Sequence, residues 1–363
     1  INSFIMQNRG QMLDNKETVI KNDPSDALGV LAKYPEQALW KAKIANFNDF
    51  SGDSGLEKIV VSGMGGSALA ASFMKNWLDH DYDFAKVFEV SREYKLPSWV
   101  DEKTLAVIFS VSGNTEETLS SLDDAIAKNA TIVIVSAGGK LIEIAKKQGL
   151  PYIHLDKISQ PRYGTIMHLR ALAKILESYN LIRGLSREIA ENRTFLAGKI
   201  REILPETPEN QNIAKKIARA TLGKTPIIYS SALFAPLAYK WKISFNENSK
   251  STSWLGESTE FYHNEFIGWS GSKKKKKNFS VIRLHSKLDH PQIEKRYSLS
   301  VKFLAENRPR PVEIGLSGGT FLAQSLSGLA LADFASVYLA ALNEIDPTPV
   351  KLAEDFKLEL AKI

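Results

Sequence analysis

From Lys58 onward, short β-branched runs alternate with amphipathic stretches, and most runs end in a turn rich in glycine or hydroxyl side chains. The first half contains Ile59-Val60-Val61, Val87-Phe88-Glu89-Val90, Leu105-Ala106-Val107-Ile108-Phe109, Thr131-Ile132-Val133-Ile134-Val135 and Tyr152-Ile153-His154-Leu155. Ala70, Phe73, Met74, Trp77 and Leu78 recur at helical spacing after the first run, and Leu119, Leu122 and Ile126 do so before the fourth. Strands that are apolar nearly throughout need cover on both faces, so the pattern predicts an α/β fold, a mostly parallel sheet flanked by helices. The second half repeats it: a helix with Ile213 and Ile217 ending at Gly223, strands at 227–229, 279–284 and 312–314, and a long apolar helix near 326–342. Two related domains are expected, although no repeat is visible residue by residue.

The chain has 363 residues, 44% of them hydrophobic, enough for each half to build its own core. We place an N-terminal helical segment at 1–50, a first domain at 51–204, a second at 205–345 and a C-terminal helix at 346–363, marked by Leu352, Phe356 and Leu360. Pro205-Glu206-Thr207-Pro208 ends a charged helical stretch that starts near Thr165, and Asp346-Pro347-Thr348-Pro349 stops the long apolar helix. The absence of cysteine removes disulfides, thiolate metal sites and cysteine nucleophiles, and it suits a reducing compartment. No run approaches the ~18 apolar residues of a membrane span, and 1–10 lack the basic and apolar regions of a signal peptide, so a cytoplasmic location without membrane contact is expected. The net charge of +6 includes the lysine run 273–277, but no aromatic residue punctuates it. A solvated loop is expected there, and no nucleic-acid partner.

Two turns carry chemistry. Ser62-Gly63-Met64-Gly65-Gly66-Ser67-Ala68 follows the first strand and opens a helix, where glycines allow close backbone approach and helix-start N–H groups favour an anion. Gly66 and Ser67 are therefore candidate phosphate contacts. The spacing Gly63-x-Gly65-x-x-Ala68 also fits a dinucleotide fingerprint, with Glu89 as its acidic partner. Ser110-Val111-Ser112-Gly113-Asn114-Thr115-Glu116-Glu117-Thr118 follows the third strand in the same way. Ser110, Ser112 and Thr115 offer three neutral donors to an anion, and a dinucleotide fold has no need of that second cluster. Helix capping by Asn114, with Glu117 at the third helical position, accounts for those two residues and leaves the hydroxyls unexplained.

These turns, with Ser136-Ala137-Gly138-Gly139 after the fourth strand, resemble the sugar isomerase (SIS) domain, whose members bind phosphorylated sugars. In the second half, four motifs resemble the bifunctional phosphoglucose/phosphomannose isomerase family of archaea and some bacteria. They are Asn246-Glu247-Asn248-Ser249-Lys250, His263-Asn264-Glu265 closing with Gly268-Trp269, Asp289-His290-Pro291, and Asp346-Pro347-Thr348-Pro349-Val350. The resemblance runs from about residue 58 to 360. It implies two SIS-type domains, a homodimer with shared active sites, and an aldose–ketose isomerase acting on sugar phosphates, glucose 6-phosphate and also mannose 6-phosphate, to give fructose 6-phosphate. It further implies that Glu247 is the base, that His263 opens the ring from the neighbouring subunit, and that Arg162 lies near the enediolate. Lys357 matches the lysine that assists at the sugar ring, and Thr348 the position that admits both C2 epimers.

The chemistry asks for the same residue types. Moving a carbon-bound proton next to a carbonyl needs a carboxylate, ring opening needs a group that exchanges protons near neutrality, and the anionic intermediate needs a fixed cation. Taken singly, each residue has a plainer reading. Glu247 reads as a solvated turn residue, His263 as part of an aromatic cluster with Phe261 and Tyr262, Arg162 as a partner of Asp156, and Lys357 as a partner of Glu354 or Glu359. His-Glu-x-x-His spacing and a Walker-type Gly-Lys-Ser/Thr are both missing, so neither metal nor cofactor is expected. Two other functions stay open. A non-catalytic SIS-domain sensor of sugar phosphates needs the hydroxyl loops but not Glu247 and His263, and an oxidoreductase would use 63–68 for NAD.

Overall fold

The structure, a computed structural model, describes residues 12–48, 52, 54–271, 274 and 276–360. Lys273 and Lys275 of the lysine run, and parts of the expected N-terminal segment, lie outside them. Two units divide the chain: Lys33–Ala197 with Gly319–Leu326, and Ile1–Ala32 with Gly198–Gly318 and Ser327–Ile363. Side chains that accept backbone N–H groups set the first helix starts. Asn15 accepts from Thr18 N at 3.1 Å to cap α1 (Lys16–Lys21), and buried Asp23 accepts from Ala27 and Leu28 N–H at 2.8 Å each at the head of α2 (Ala27–Ala32).

The six-stranded unit starts with α3 (Tyr34–Gln37) and the short β1 (Ile44–Ala45). It continues through β2 (Lys58–Ser62), α4 (Gly65–Asp81), β3 (Val87–Ser91), β4 (Thr104–Phe109), α5 (Glu116–Ala127), β5 (Thr131–Ser136), α6 (Gly139–Gln148) and β6 (Tyr152–His154) to α7 (Thr165–Ser178) and α8 (Leu185–Glu191). The sheet order is β1-β6-β5-β4-β2-β3, parallel except for β1 against β6. All six residues of β4 are buried, which is why its sequence is apolar on both faces. On one face Val60, Ala106, Ile108, Ile132 and Ile134 pack with Leu122 and Ala125 of α5 and Leu141 and Ile142 of α6. The stretch after Thr165, expected to be a charged helical run, begins instead with a mostly buried helix, because α7 packs against α4. Chain order reverses at β2, which lies between β3 and β4. Right-handed crossovers then leave on opposite faces, and the loops at the strands' carboxyl ends part into a crevice.

After α9 (Arg193–Arg201), the four-stranded unit runs α10 (Ile213–Thr221), β7 (Thr225–Ser230), α11 (Ala235–Glu247), β8 (Trp254–Glu257), α12 (Ser258–Phe261), α13 (Glu265–Ser270), β9 (Phe279–His285), α14 (Pro291–Phe303) and β10 (Val312–Gly315). All its pairings are parallel, in the order β10-β9-β7-β8, and the order reverses at β7. The long helix α15 spans Phe321–Leu342, starting earlier than its apolar run suggests. It is long and apolar enough to cross a membrane by length and composition, but 94% of its most apolar window is buried in the protein. A helix hydrophobic on all sides is what such burial requires. The expected C-terminal helix is α16 (Lys351–Leu360), with Leu352, Phe356 and Leu360 exposed. The expected architecture, two mostly parallel sheets flanked by helices plus a C-terminal helix, is the one observed.

Candidate active site

At the carboxyl edge of the six-stranded sheet, the loops after β2, β4, β5 and β6 converge on the crevice. Ser67 Oγ accepts from Val111 N at 3.3 Å and so ties the first loop to the second. Ser110 Oγ lies 2.8 Å from Thr115 Oγ1 and 3.4 Å from Ser112 Oγ, which makes the three hydroxyls one cluster. Gly113, at φ +70, locks this loop to the next: a Cβ there would stand 1.8 Å from Gly138 O. Only glycine fits that conformation and that approach. Thr115 is the N-cap residue of α5, yet its side chain makes no capping bond and turns to Ser110. Asn114 does not cap α5, contrary to the plainer sequence reading; its Oδ1 accepts from Lys140 N at 3.0 Å in the first turn of α6. The first N–H groups of α5 have no intrahelical partner and open onto the same edge. Glu116, beside the cluster, accepts a hydrogen bond from exposed Tyr94 at 3.2 Å.

Arg162 reaches these loops from the turn Pro161–Gly164 after β6. A Cβ on Gly66 would lie 3.2 Å from Pro161 O and 3.3 Å from Arg162 N, so the glycine lets the arginine segment close on the first loop. Arg162 is 1% exposed, donates from Nη1 to Gln160 Oε1 at 3.1 Å and stacks over Tyr163 at 4.7 Å. It does not pair with Asp156, whose carboxylate accepts from Trp40 Nε1 at 2.8 Å. Gly66, Ser67, Ser110, Ser112, Thr115 and Arg162 are thus gathered at one sheet edge.

The other expected site residues belong to the four-stranded unit. Glu247 is the half-buried last residue of α11, within a helix and not in a solvated turn. Its neighbours are bonded on both sides. Asn246 Oδ1 accepts from Ser253 N at 3.0 Å, and buried Asn248 donates to Ser336 Oγ of α15 at 2.8 Å. Lys250 Nζ donates to Glu247 O at 2.7 Å and Pro347 O at 3.0 Å, which brings the loop of buried Thr348 against the same turn. One turn and more below Glu247, the fully buried Lys240 and Asp333 pair at 2.7 Å, and Ser244 Oγ donates to the same carboxylate oxygen at 2.7 Å. Lys357 is exposed on α16 and pairs with neither Glu354 nor Glu359; Lys351 and Asp355 of that helix form an ion pair at 3.0 Å.

His263 is exposed in the turn between α12 and α13. The aromatic cluster there is made by Phe261, Tyr262, Phe266 and Tyr229, with the His263 ring outside it. Because α11 connects two parallel strands, it returns to their amino edge, and Glu247 sits where Ser253 enters β8. His263 follows the carboxyl edge of β8, four residues or roughly 13 Å further along the sheet. Within one chain Glu247 and the Thr348 loop meet at the turn before β8, whereas His263 follows the carboxyl end of that strand.

Three features were not anticipated. Asp289 fills the crevice at the carboxyl edge of the four-stranded sheet: its oxygens accept from Ser231 Oγ at 2.5 Å and Ser286 N at 2.9 Å, while His290 caps α14 through Gln292 N at 3.2 Å. Only the Pro at the first turn of α14 hinted at this capping role. The Lys240–Asp333 pair left one trace, an aspartate inside an otherwise apolar helix pattern. Tyr229 left none.

Residues 210–360 match the bacterial phospho-glucose isomerase C-terminal SIS domain family, and residues 55–151 match the SIS domain family. A bifunctional phosphoglucose/phosphomannose isomerase of Aquifex aeolicus is 37% identical over 305 residues, 84% of this chain and 90% of the relative. One of Caldicellulosiruptor bescii is 35% identical over 310 residues, 85% and 91% of the two chains. A D-glucosamine-6-phosphate 4-epimerase of Sulfolobus acidocaldarius is 32% identical over 230 residues, 62% of this chain and 68% of the relative. Among solved structures, a glucose-6-phosphate isomerase-like protein of Thermus thermophilus superposes with a TM-score of 0.65 at 18% identity, covering 94% of this chain and 98% of that one, a likeness of fold.

Proposed function

The chain belongs to the bifunctional phosphoglucose/phosphomannose isomerase family and is an isomerase, and from that premise we propose that it interconverts glucose 6-phosphate and mannose 6-phosphate with fructose 6-phosphate in the cytoplasm. The observation that carries this reading is the anchoring of Asn246, Asn248 and Lys250 around Glu247, with the Thr348 loop drawn to the same turn. A carboxylate whose backbone is fixed on both sides suits a base that moves one proton between adjacent carbons.

In this mechanism the Ser67, Ser110, Ser112 and Thr115 hydroxyls, with Gly66 and the head of α5, hold the phosphate without a counter-charge. His263 donates a proton to the ring oxygen as the C1 hydroxyl loses its own, which opens the ring. Glu247 takes the proton from C2, leaving an enediolate whose negative charge Arg162 stabilises. Returning that proton to C1, while the C2 hydroxyl proton passes to the C1 oxygen, gives the ketose. Lys357 assists at the ring, and Thr348 lets the C2 proton return to either face, so both epimers are accepted. The separation of Glu247 from His263 along β8 supports a homodimer in which a second copy supplies His263 to a shared site.

A coupled assay of the purified protein with glucose 6-phosphate, mannose 6-phosphate and glucosamine 6-phosphate tests the reading. Turnover of the first two is expected, and Glu247→Gln should lower it by about 10²–10⁴-fold with substrate affinity largely kept. Binding without turnover would make the chain a sensor, and a C4 epimer from glucosamine 6-phosphate alone would make it an epimerase; either result overturns the proposal.

A further inference from the structure

We propose that Tyr229 is a positioning residue for His263, and that Glu265 of the His-Asn-Glu motif anchors the turn to Tyr229 instead of carrying protons. The inference rests on His263 being the ring opener and adds what holds it in place.

Tyr229 sits near the carboxyl end of the central strand β7 and is 5% exposed. Both arms of the His263 turn bear on this one side chain. Two residues before the histidine, Phe261 packs edge-on against the Tyr229 ring, centroids 5.1 Å apart at 73°. Two residues after it, Glu265 Oε2 accepts the Tyr229 hydroxyl at 2.7 Å. The same hydroxyl accepts from Trp269 Nε1 at 3.3 Å. Glu265 and Trp269 are four residues apart on α13, hence on one face, and that face is turned to Tyr229. Burial and the Glu265 carboxylate hold the Tyr229 hydroxyl above the usual phenol range, so it remains a donor at neutral pH.

The strand beside it leaves room for this clamp. Gly256 of β8 is paired with Tyr229, and a Cβ there would stand 2.6 Å from Tyr229 Cε1 and 2.8 Å from Glu265 Oε1. One oxygen of Glu265 is therefore bound by the tyrosine, and the other lies close to the backbone of Gly256 in β8. Asn264 closes the tip: its Oδ1 accepts from Glu265 N at 2.5 Å and its Nδ2 donates to Glu260 Oε1 at 2.6 Å. His263 N donates to Glu260 O at 2.9 Å, while the imidazole stands exposed. Every neighbour of His263 is tied down and its ring is presented outward, as a group that must reach a sugar held elsewhere requires. A misplacement of about 1 Å in such a group costs roughly 10²-fold in rate.

The test compares Tyr229→Phe, Glu265→Gln and His263→Ala in the full-length protein. It measures kcat and KM, enzyme-catalysed anomer interconversion of glucose 6-phosphate by NMR magnetisation transfer, and affinity for an acyclic phosphorylated hydroxamate that needs no ring opening. Tyr229→Phe keeps the ring contact with Phe261 and deletes only the hydroxyl. It should lose about 10–100-fold in kcat and in anomer interconversion, with KM and hydroxamate affinity within about 3-fold. Glu265→Gln retains an acceptor for the tyrosine and should stay within about 3-fold of the parent. Unchanged kcat in Tyr229→Phe, beside a His263→Ala variant that is impaired, overturns the inference alone. A His263→Ala variant with full activity overturns the role of His263 and this inference together. Glu265→Gln as inactive as His263→Ala would make Glu265 a proton carrier, and a matching loss of hydroxamate affinity in Tyr229→Phe would make the tyrosine a general structural element; each sinks the proposal.

Discussion

Lys240→Met should be one of the most damaging single substitutions in the four-stranded unit, although the lysine touches no surface. Lys240 and Asp333 are both fully buried and 2.7 Å apart. At an effective dielectric of about 20 their attraction is roughly 6 kcal/mol, but removing two ions from water offsets most of it, so the intact pair adds little net stability. The single variant is different. It leaves the Asp333 carboxylate buried with the Ser244 hydroxyl and no cation in place of Lys240, a loss of about 3–5 kcal/mol. At ~2–4 °C per kcal/mol for a unit of this size, the melting temperature should fall by roughly 6–20 °C. The pair replacement Lys240→Met with Asp333→Leu removes both charges and should return to within about 1–2 kcal/mol of the parent. Urea unfolding of the parent, both singles and the double, followed by tryptophan fluorescence and far-UV circular dichroism, closes the cycle. A single variant that loses less than about 1 kcal/mol, or a double variant as unstable as Lys240→Met, would refute the reasoning that the harm lies in the abandoned charge.

Ser110→Ala with Ser112→Ala removes two neutral hydrogen-bonding groups from the cluster and should raise KM by roughly 5–150-fold with a smaller effect on kcat; unchanged affinity would place the phosphate elsewhere. Asp289→Ala strands Ser231 Oγ and Ser286 N, and calorimetry should show a loss of about 1–3 kcal/mol that Asp289→Asn partly restores; no difference between the two variants would mean that the carboxamide cannot replace the carboxylate's contacts. Burial pushes the Asp23 carboxyl up from the usual 3.8 to about 6, so the folded chain holds that proton more tightly than the unfolded one. Its contribution to stability is present below about pH 4 and is lost as the pH rises through 6, so the stability gap between the parent and Asp23→Asn should shift between pH 4.5 and 7; a pH-independent gap would exclude the linkage.

The strands of both sheets were legible because burial on two faces leaves no room for polar residues: β4, with all six residues buried, is also the clearest run in the sequence. Two short strands were missed. β1 has two residues, and β8 offers Trp254-Leu255-Gly256-Glu257, whose glycine is chosen to clear Tyr229 and Glu265 and not for strand propensity. The hydroxyl loop was legible as a set of donors, but the partner of Asn114 was not, since Lys140 N comes near only after β5 and α6 have folded over the loop. Glu247 looked like a loop residue because two asparagines flank it, and asparagine favours turns. Its place at the end of α11 depends on Asn246 reaching Ser253 and Asn248 reaching Ser336, contacts of tertiary origin. The same applies to Tyr229, an ordinary strand residue until Glu265 and Trp269 arrive from 36 and 40 positions away.

The two sheets solve the same problem in opposite ways. Each reverses its strand order at a central strand, β2 in one and β7 in the other, which parts the loops at its carboxyl edge. In the six-stranded unit that edge carries Ser67, which accepts from Val111 N, and the cluster of Ser110, Ser112 and Thr115, with Ser110 Oγ 2.8 Å from Thr115 Oγ1 and 3.4 Å from Ser112 Oγ. Neutral hydroxyls can turn outward to an incoming phosphate without leaving a buried charge behind. In the four-stranded unit the corresponding donors, Ser231 Oγ and Ser286 N, are already bound by the carboxylate of Asp289, so an external anion would meet a negative charge and occupied donors. The hydroxyls of one domain thus bond to one another and to backbone groups, while those of the other are held by a carboxylate. In the four-stranded unit the motif side chains are likewise bonded within the fold, Asn246 to Ser253 N, Asn248 to Ser336 Oγ, Glu265 to the Tyr229 hydroxyl and Asp346 to Thr348 N.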